Sequence, residues 1–235
     1  MAQRPVNLLS RFPQRKTAVQ KQQFRQEVQC FFSELGYAVS EELGSFGCCN
    51  LVAGDPEAAA YLLTAHYDTA MGDNTAGILT LLEIAEAIPE ACRNRVCFVL
   101  LDRTAMGLSG GRAYRKAHKA ATDKQLVLNL ELPACGDRIA FVPTQKLKKD
   151  RKKLTALYRA CGYFGKKSLL VQEKKVNAFP SEQWFFPYAA GIHVLKKGKL
   201  GWNTVKSQAG EIPESTNINI LRAALTSFLC CDAGK

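Results

Sequence analysis

The sequence predicts an α/β protein: a three-layer α/β/α domain around a mostly parallel central sheet. Three observations carry that prediction. Short apolar runs alternate with segments of helical period along the chain. One run, residues 95–102, is apolar without a break through Val-Cys-Phe-Val-Leu-Leu, as in strands covered on both faces. The chain of 235 residues, 47% hydrophobic and 23% charged, is long enough to bury a core without staples and too apolar for wholesale disorder.

The elements follow in order. Residues 14–36 read as an amphipathic helix, with Val19, Phe24, Val28, Phe31 and Phe32 at helical spacing and Gly36 as its stop. Residues 50–54 and 61–66 read as neighbouring strands divided by Gly54-Asp55-Pro56. The next helix, 74–88, puts Ile78, Leu81, Leu82 and Ala85 on one face and closes at Pro89. After the strand 95–102, a Gly-rich turn leads into helix 108–120. Strands at 126–132 and 138–142, a basic helix at 146–162, strands at 169–171 and 192–195, and a terminal helix at 216–231 complete the pattern. No linker or repeat interrupts it, so residues 1–235 are expected to form one domain, with the basic N-terminal segment 1–36 packed on it.

Charge and cysteine usage bound the function. The net charge of +11 is concentrated: residues 1–25 carry +6, residues 146–175 carry +9, and the remainder is mildly acidic. The run Lys146–Lys153 suits an acidic partner, but it continues as Leu154, Leu157, Tyr158 and Cys161, an apolar stripe. A solvated helix face accounts for that pattern, and no specific nucleic-acid partner is expected, because no recognised module or aromatic platform accompanies the charges. Nine cysteines without a CxxC pair, in a chain this large, indicate reduced thiols and a cytoplasmic protein. Neither a membrane span nor a signal-peptide core is expected.

The chemistry is expected at the end of the strand 61–66, where Thr64-Ala65-His66-Tyr67-Asp68 places a histidine at the carboxyl edge at which open α/β sheets bind ligands, with Asp68 able to hold its imidazole. Gly72-Asp73-Asn74-Thr75-Ala76-Gly77 then opens a helix. Asp102 and Gly107-Leu108-Ser109-Gly110, then Asn129-Leu130-Glu131, then Ala190-Gly191-Ile192 follow in order. Together these segments resemble the di-zinc aminopeptidases of metallopeptidase family twenty-eight, relatives of bacterial leucyl aminopeptidase and glutaminyl cyclase, over about residues 50–220.

That resemblance implies a zinc-exopeptidase fold and a set of site positions. His66 takes the place of the first zinc ligand with Asp68 orienting it, Asp73 that of the carboxylate bridging both metals, and Glu131 that of a further ligand. The family's general base and its neighbouring zinc ligand fall on Thr104 and Ala105, and its final histidine ligand on Gln208, or on Asn203 in a second register. Threonine and alanine cannot serve as base or zinc ligand there. The resemblance therefore implies a catalytically degenerate domain, binding no zinc or one weakly held ion, with a peptide or protein as partner. The alternative is a one-metal peptidase that uses His66, Asp73 and Glu131 to cleave N-terminal residues.

Overall fold

The computed structural model describes residues 3–69, 72–102, 107–131, 138–163, 176–177, 181–198, 201–204 and 216–231. The chain opens with helices α1 (Gln3–Arg11) and α2 (Ala18–Glu34) and strands β1 (Val39–Leu43), β2 (Cys49–Ala53) and β3 (Tyr61–His66). Next come α3 (Thr75–Ala87), α4 (Glu90–Arg93), β4 (Val96–Leu101), α5 (Ser109–Ala117), α6 (Lys119–Thr122), β5 (Leu126–Glu131) and β6 (Arg138–Pro143). Helices α7 (Gln145–Lys149) and α8 (Arg151–Tyr163), strand β7 (Val176–Asn177), a 3-10 turn (Glu182–Phe185), strands β8 (Ala189–Gly198) and β9 (Gly201–Thr204), and helix α9 (Thr216–Cys231) follow.

The strands form one mixed sheet in the order β1-β2-β4-β3-β5-β8-β9-β7, with β6 pairing β8 off this path. Its centre, β4-β3-β5-β8, is parallel throughout. Antiparallel pairings join β1 to β2 and β2 to β4 on one side, and β6 and β9 to β8 on the other. The α/β class is as predicted, with the parallel order held at the centre and, at the far edge, between β7 and β9. Strands β2 and β3, expected to be neighbours, are separated by β4, because the connection from β3 through α3 returns a parallel strand between them.

Period-2 alternation sorts the buried strand residues onto two faces. Leu63 and Ala65, Phe98 and Leu100, Leu128 and Leu130 share a core with Phe24, Phe32, Ile78, Leu81, Leu225 and Leu229 from α2, α3 and α9. Leu62, Cys97, Val99, Leu101 and Val127 face the other way, against Tyr114 of α5 and Phe185 and Phe186. That is why the run 95–102 carries no polar alternation: both faces are covered.

The N-terminal region differs most from expectation. Two helices replace one, and α2 starts where Thr17 and Gln20 form a reciprocal capping box. Phe24, Val28, Phe31 and Phe32 are buried as the spacing requires, whereas Val19 is exposed. The predicted helix 108–120 is broken at His118, and the strand β1 was not legible in Val-Ser-Glu-Glu-Leu, whose side chains stay largely in solvent at the sheet edge. The predicted strand 169–171 lies outside the described residues.

Candidate functional site

The carboxyl ends of β3 and β5 and the following turns build a buried polar cluster. Thr64 and Asn129 are paired across β3 and β5, so His66 and Glu131, each two residues further on, project from the same face. Their side chains meet with His66 Nε2 at 3.5 Å from Glu131 Oε2. On the next strand His193 lies in register with Glu131. Three adjacent strands therefore present a row, His66–Glu131–His193, at one depth.

A hydrogen-bonded layer beneath holds that row. The Thr64 hydroxyl donates to Asn129 Oδ1 at 2.6 Å, and Asn129 Nδ2 donates to Ser181 Oγ at 2.6 Å and to Glu131 Oε1 at 3.0 Å. Ser181 Oγ donates to the same carboxylate oxygen at 2.8 Å. The segment Ser181–Gln183 closes over Gly191, where a Cβ would stand 2.5 Å from Gln183 Nε2 and 2.7 Å from His193 Nε2. Only glycine admits so close an approach. Both of those nitrogens are buried without a hydrogen-bond partner among the described residues.

The electrostatics follow from burial and neighbours. His66 Nδ1 is 3.1 Å from the carbonyl oxygen of Asp68, with the Asp68 carboxylate at 3.6 Å. A protonated Nδ1 donates to that carbonyl, which orients the ring and turns Nε2 toward Glu131. Burial by itself pushes the imidazolium pKa down. The charge of Glu131 and hydrogen bonding to Asp68 and Glu131 override it, and the histidine titrates well above its ordinary range. For Glu131, burial pushes upward, and the facing His66 prevails and holds the carboxylate below its usual range. His193 goes the other way: burial lowers it, and Glu131 offsets that only in part.

Asp73 belongs to a different set of contacts. Its neighbour Asn74 donates to the carbonyl of Leu130 at 2.8 Å, which ties the start of α3 to the end of β5. The Asp73 carboxylate accepts from the backbone N–H of Thr75 at 3.1 Å and from its hydroxyl at 2.7 Å. It also accepts from Arg15 Nη2 at 2.9 Å. Arg15 is fully buried. Its Nε donates to the carbonyl of Tyr67 at 2.6 Å, and its Nη1 to the carbonyl of Phe12 at 2.6 Å. Burial draws its pKa down and Asp73 opposes this; a guanidinium stays charged across the working range. Lys21 makes a parallel pair, Nζ to Asp102 Oδ1 at 2.7 Å, at the end of β4.

Of the residues singled out in the sequence, His66, Asp68 and Glu131 come together, and Asp73 faces Arg15. Thr104, Ala105 and Gln208 lie outside the described residues, as does the side chain of Asn203. Arg15, Lys21, Ser181 and His193 were missed as site residues. The signal for Arg15 and Lys21 was the excess of base in residues 1–25 over an acidic remainder; His193 needed the strand order.

Among the described residues, the carboxylate at the position that the resemblance gives to the bridging ligand is already paired with a guanidinium, Arg15 Nη2 at 2.9 Å from Asp73 Oδ1. A dication on Asp73 would stand beside that positive charge, and like charges at short range repel. Among the described residues no group of three or more His, Cys, Asp and Glu is arranged to hold a metal. Sequence adds that Ala105 has no donor atom to offer.

The model of peptidase family M28 matches residues 50–223. Solved structures of the same fold include the glutaminyl cyclase of Porphyromonas gingivalis, 16% identical, covering 97% of each chain with a TM-score of 0.72. Bacteroides thetaiotaomicron glutaminyl cyclase bound to N-acetylhistamine is 12% identical and covers 95% of this chain and 94% of its own, with a TM-score of 0.71. A Zn-dependent exopeptidase from Parabacteroides distasonis is 16% identical and covers 98% and 96%, with a TM-score of 0.70. No curated protein matches the sequence.

Proposed function

The chain belongs to peptidase family M28, and from that premise we propose that it is an aminopeptidase-like domain that no longer hydrolyses peptides and serves to bind a peptide or protein partner. The observation that carries the proposal is the Arg15 guanidinium on Asp73, at the position where the resemblance calls for the bridging carboxylate. A carboxylate already neutralised by a buried cation is a poor metal ligand, and Thr104 cannot act as a general base. What remains is a cluster of buried polar side chains at the carboxyl ends of parallel strands, the usual ligand position of open α/β sheets. Its polar atoms suit backbone amides and a charged terminus: the Glu131 carboxylate, the His193 imidazole and the Gln183 amide. A reducing, cytoplasmic setting accords with seven described cysteines that are all free.

One feature favours a second reading. The 3.5 Å between His66 Nε2 and Glu131 Oε2 is close to the separation of two ligands on one tetrahedral zinc. A one-metal peptidase would rest on those two residues, since Asp73 is engaged by Arg15.

Two measurements on the purified protein separate these readings. Incubated with zinc, it is expected to release no product above background from aminoacyl anilides or from an N-terminal glutaminyl peptide. Elemental analysis after dialysis is expected to find well under one zinc per chain. Tightly held zinc with turnover of either substrate would end the non-hydrolytic reading.

A further inference from the structure

We propose that Arg15 is the resident cation of this buried cluster, supplying from within the chain the positive charge that a metal would otherwise provide to the carboxylates at the end of β3 and the start of α3. The guanidinium is fully buried, beside Asp73, itself buried, and within the field of Asp68. Each part of it has a defined contact: Nε on the Tyr67 carbonyl, Nη1 on the Phe12 carbonyl, and Nη2 on Asp73 and on the Thr75 hydroxyl. Its plane lies over the Phe24 ring, with Cζ 5.2 Å from the centroid. The backbone is held as well. Arg15 N donates to Thr69 Oγ1 at 3.1 Å, and Thr69 N donates to the Arg15 carbonyl at 3.3 Å. The residue is thus seated by main chain and side chain on the turn that follows His66.

Chemistry favours a charge-replacing role over an incidental ion pair. A buried carboxylate needs a counter-charge, and burying one without it is expensive. A planar guanidinium gives several directed donors at fixed angles, which a lysine cannot match. The cation comes from a segment that precedes the residues 50–223 matched by the family. It reaches the cluster because the capping box at Thr17 and Gln20 starts α2 only at Ala18 and leaves residues 12–16 outside the helix, across the end of β3. Lys21 repeats the arrangement at Asp102, so the N-terminal segment brings two cations to two buried carboxylates, one before α3 and one after β4.

The inference deepens the non-hydrolytic reading, and rests on it for taking Asp73 as the family's metal position. Its test reads stability and metal response instead of turnover, so the two fail separately. Thermal unfolding of wild type, Arg15→Met, Asp73→Asn and the double variant is followed in EDTA and in zinc. The wild-type midpoint is expected to be the same in both. Arg15→Met is expected to fall by about 10 °C in EDTA, as breaking a buried pair in a chain of this size does. Zinc should recover part of that loss by binding the native state, and the recovery should vanish in the double variant. The double variant itself should lose less than the sum of the single losses, because it leaves no buried charge uncompensated. Should Arg15→Met fail to fold in EDTA, the double variant must fold where it does not, and Arg15→Lys must remain indifferent to zinc. Additive losses, an Arg15→Met protein that zinc does not stabilise, or a wild type whose zinc-dependent rise disappears with Asp73→Asn would each overturn the proposal.

Discussion

His66 and His118 show how one residue type takes opposite roles from its surroundings. His66 is wedged between Asp68 and Glu131 in the buried cluster. His118 sits at the break between α5 and α6 with Nε2 at 2.8 Å from Glu42 and Nδ1 at 2.8 Å from Glu57. It links the edge strand β1 and the turn before β3 to the helix layer. Burial pushes its pKa down, and the two glutamates together outweigh this and raise it. A raised histidine contributes stability that is complete below its unfolded pKa near 6.5 and is lost as pH climbs through the folded value. His118→Gln is therefore expected to lower the thermal midpoint by about 3 °C at pH 6, with the gap to wild type closing toward pH 9. An equal gap at both pH values would mean that the contacts are not charge-assisted.

At the level of elements, the close seat of α5 on the sheet depends on Gly110. A Cβ there would stand 2.3 Å from the backbone oxygen of Asp102 and 2.8 Å from Asn50 Oδ1. Those atoms cannot give way cheaply. Asn50 Nδ2 donates to the Gly110 carbonyl at 3.0 Å, and its Oδ1 accepts from the N–H of Asp102 at 3.0 Å. The buried amide thus joins β2, the end of β4 and the start of α5. Gly110→Ala is expected to cost about 2–3 kcal/mol in urea unfolding, the usual penalty for overpacking, here against backbone. A change under about 0.5 kcal/mol would show that α5 can shift without loss, as ordinary surface positions do. Glycine at 110 was legible as part of a Gly-rich turn, whereas its contact with Asp102 required the fold.

Across the whole molecule, charge is separated along the strand direction. The carboxyl edge of the sheet holds His66, Glu131 and the carboxylates matched by Arg15 and Lys21. The opposite edge carries a cavity of about 640 Å³ at the starts of β3 and β5, lined by Tyr61, Leu126 and Phe228 with Lys124, Lys152 and Lys153 around it. Five of the six basic residues in the segment 1–25 do not add to that field as free charges. Arg4, Arg11, Arg15, Lys21 and Arg25 each pair with a carboxylate, Glu34, Glu27, Asp73, Asp102 and Glu41 in turn. Polyanion binding is therefore expected to be weak, to fall steeply with salt, and to map to α6 and α8. Replacing Lys124 and Lys152 by alanine should reduce the slope of log K against log salt by about 1–2, whereas Arg11→Ala should leave it unchanged. Retention that survives physiological salt, or that depends on Arg11, would contradict this picture.

Local pattern was enough for part of this protein. The apolar run at 95–102, the helix opened by Gly72-Asp73-Asn74 and the terminal helix 216–231 stand in the structure as β4, α3 and α9, because period and capping chemistry are properties of neighbouring residues. The pairing of His66 with Asp68 was legible for the same reason, since both lie on one strand end. Tertiary structure decided what sequence separation hides: that β4 enters between β2 and β3, that His193 stands in register with Glu131, and that Arg15 reaches Asp73. The last joins residues 58 positions apart, and the others cross separate strands. A lone arginine in a basic stretch looks identical whether it ends in solvent or under a helix. Only the burial of its partner carboxylate, which is set by the packing of β3, α2 and α3 together, made it part of the site.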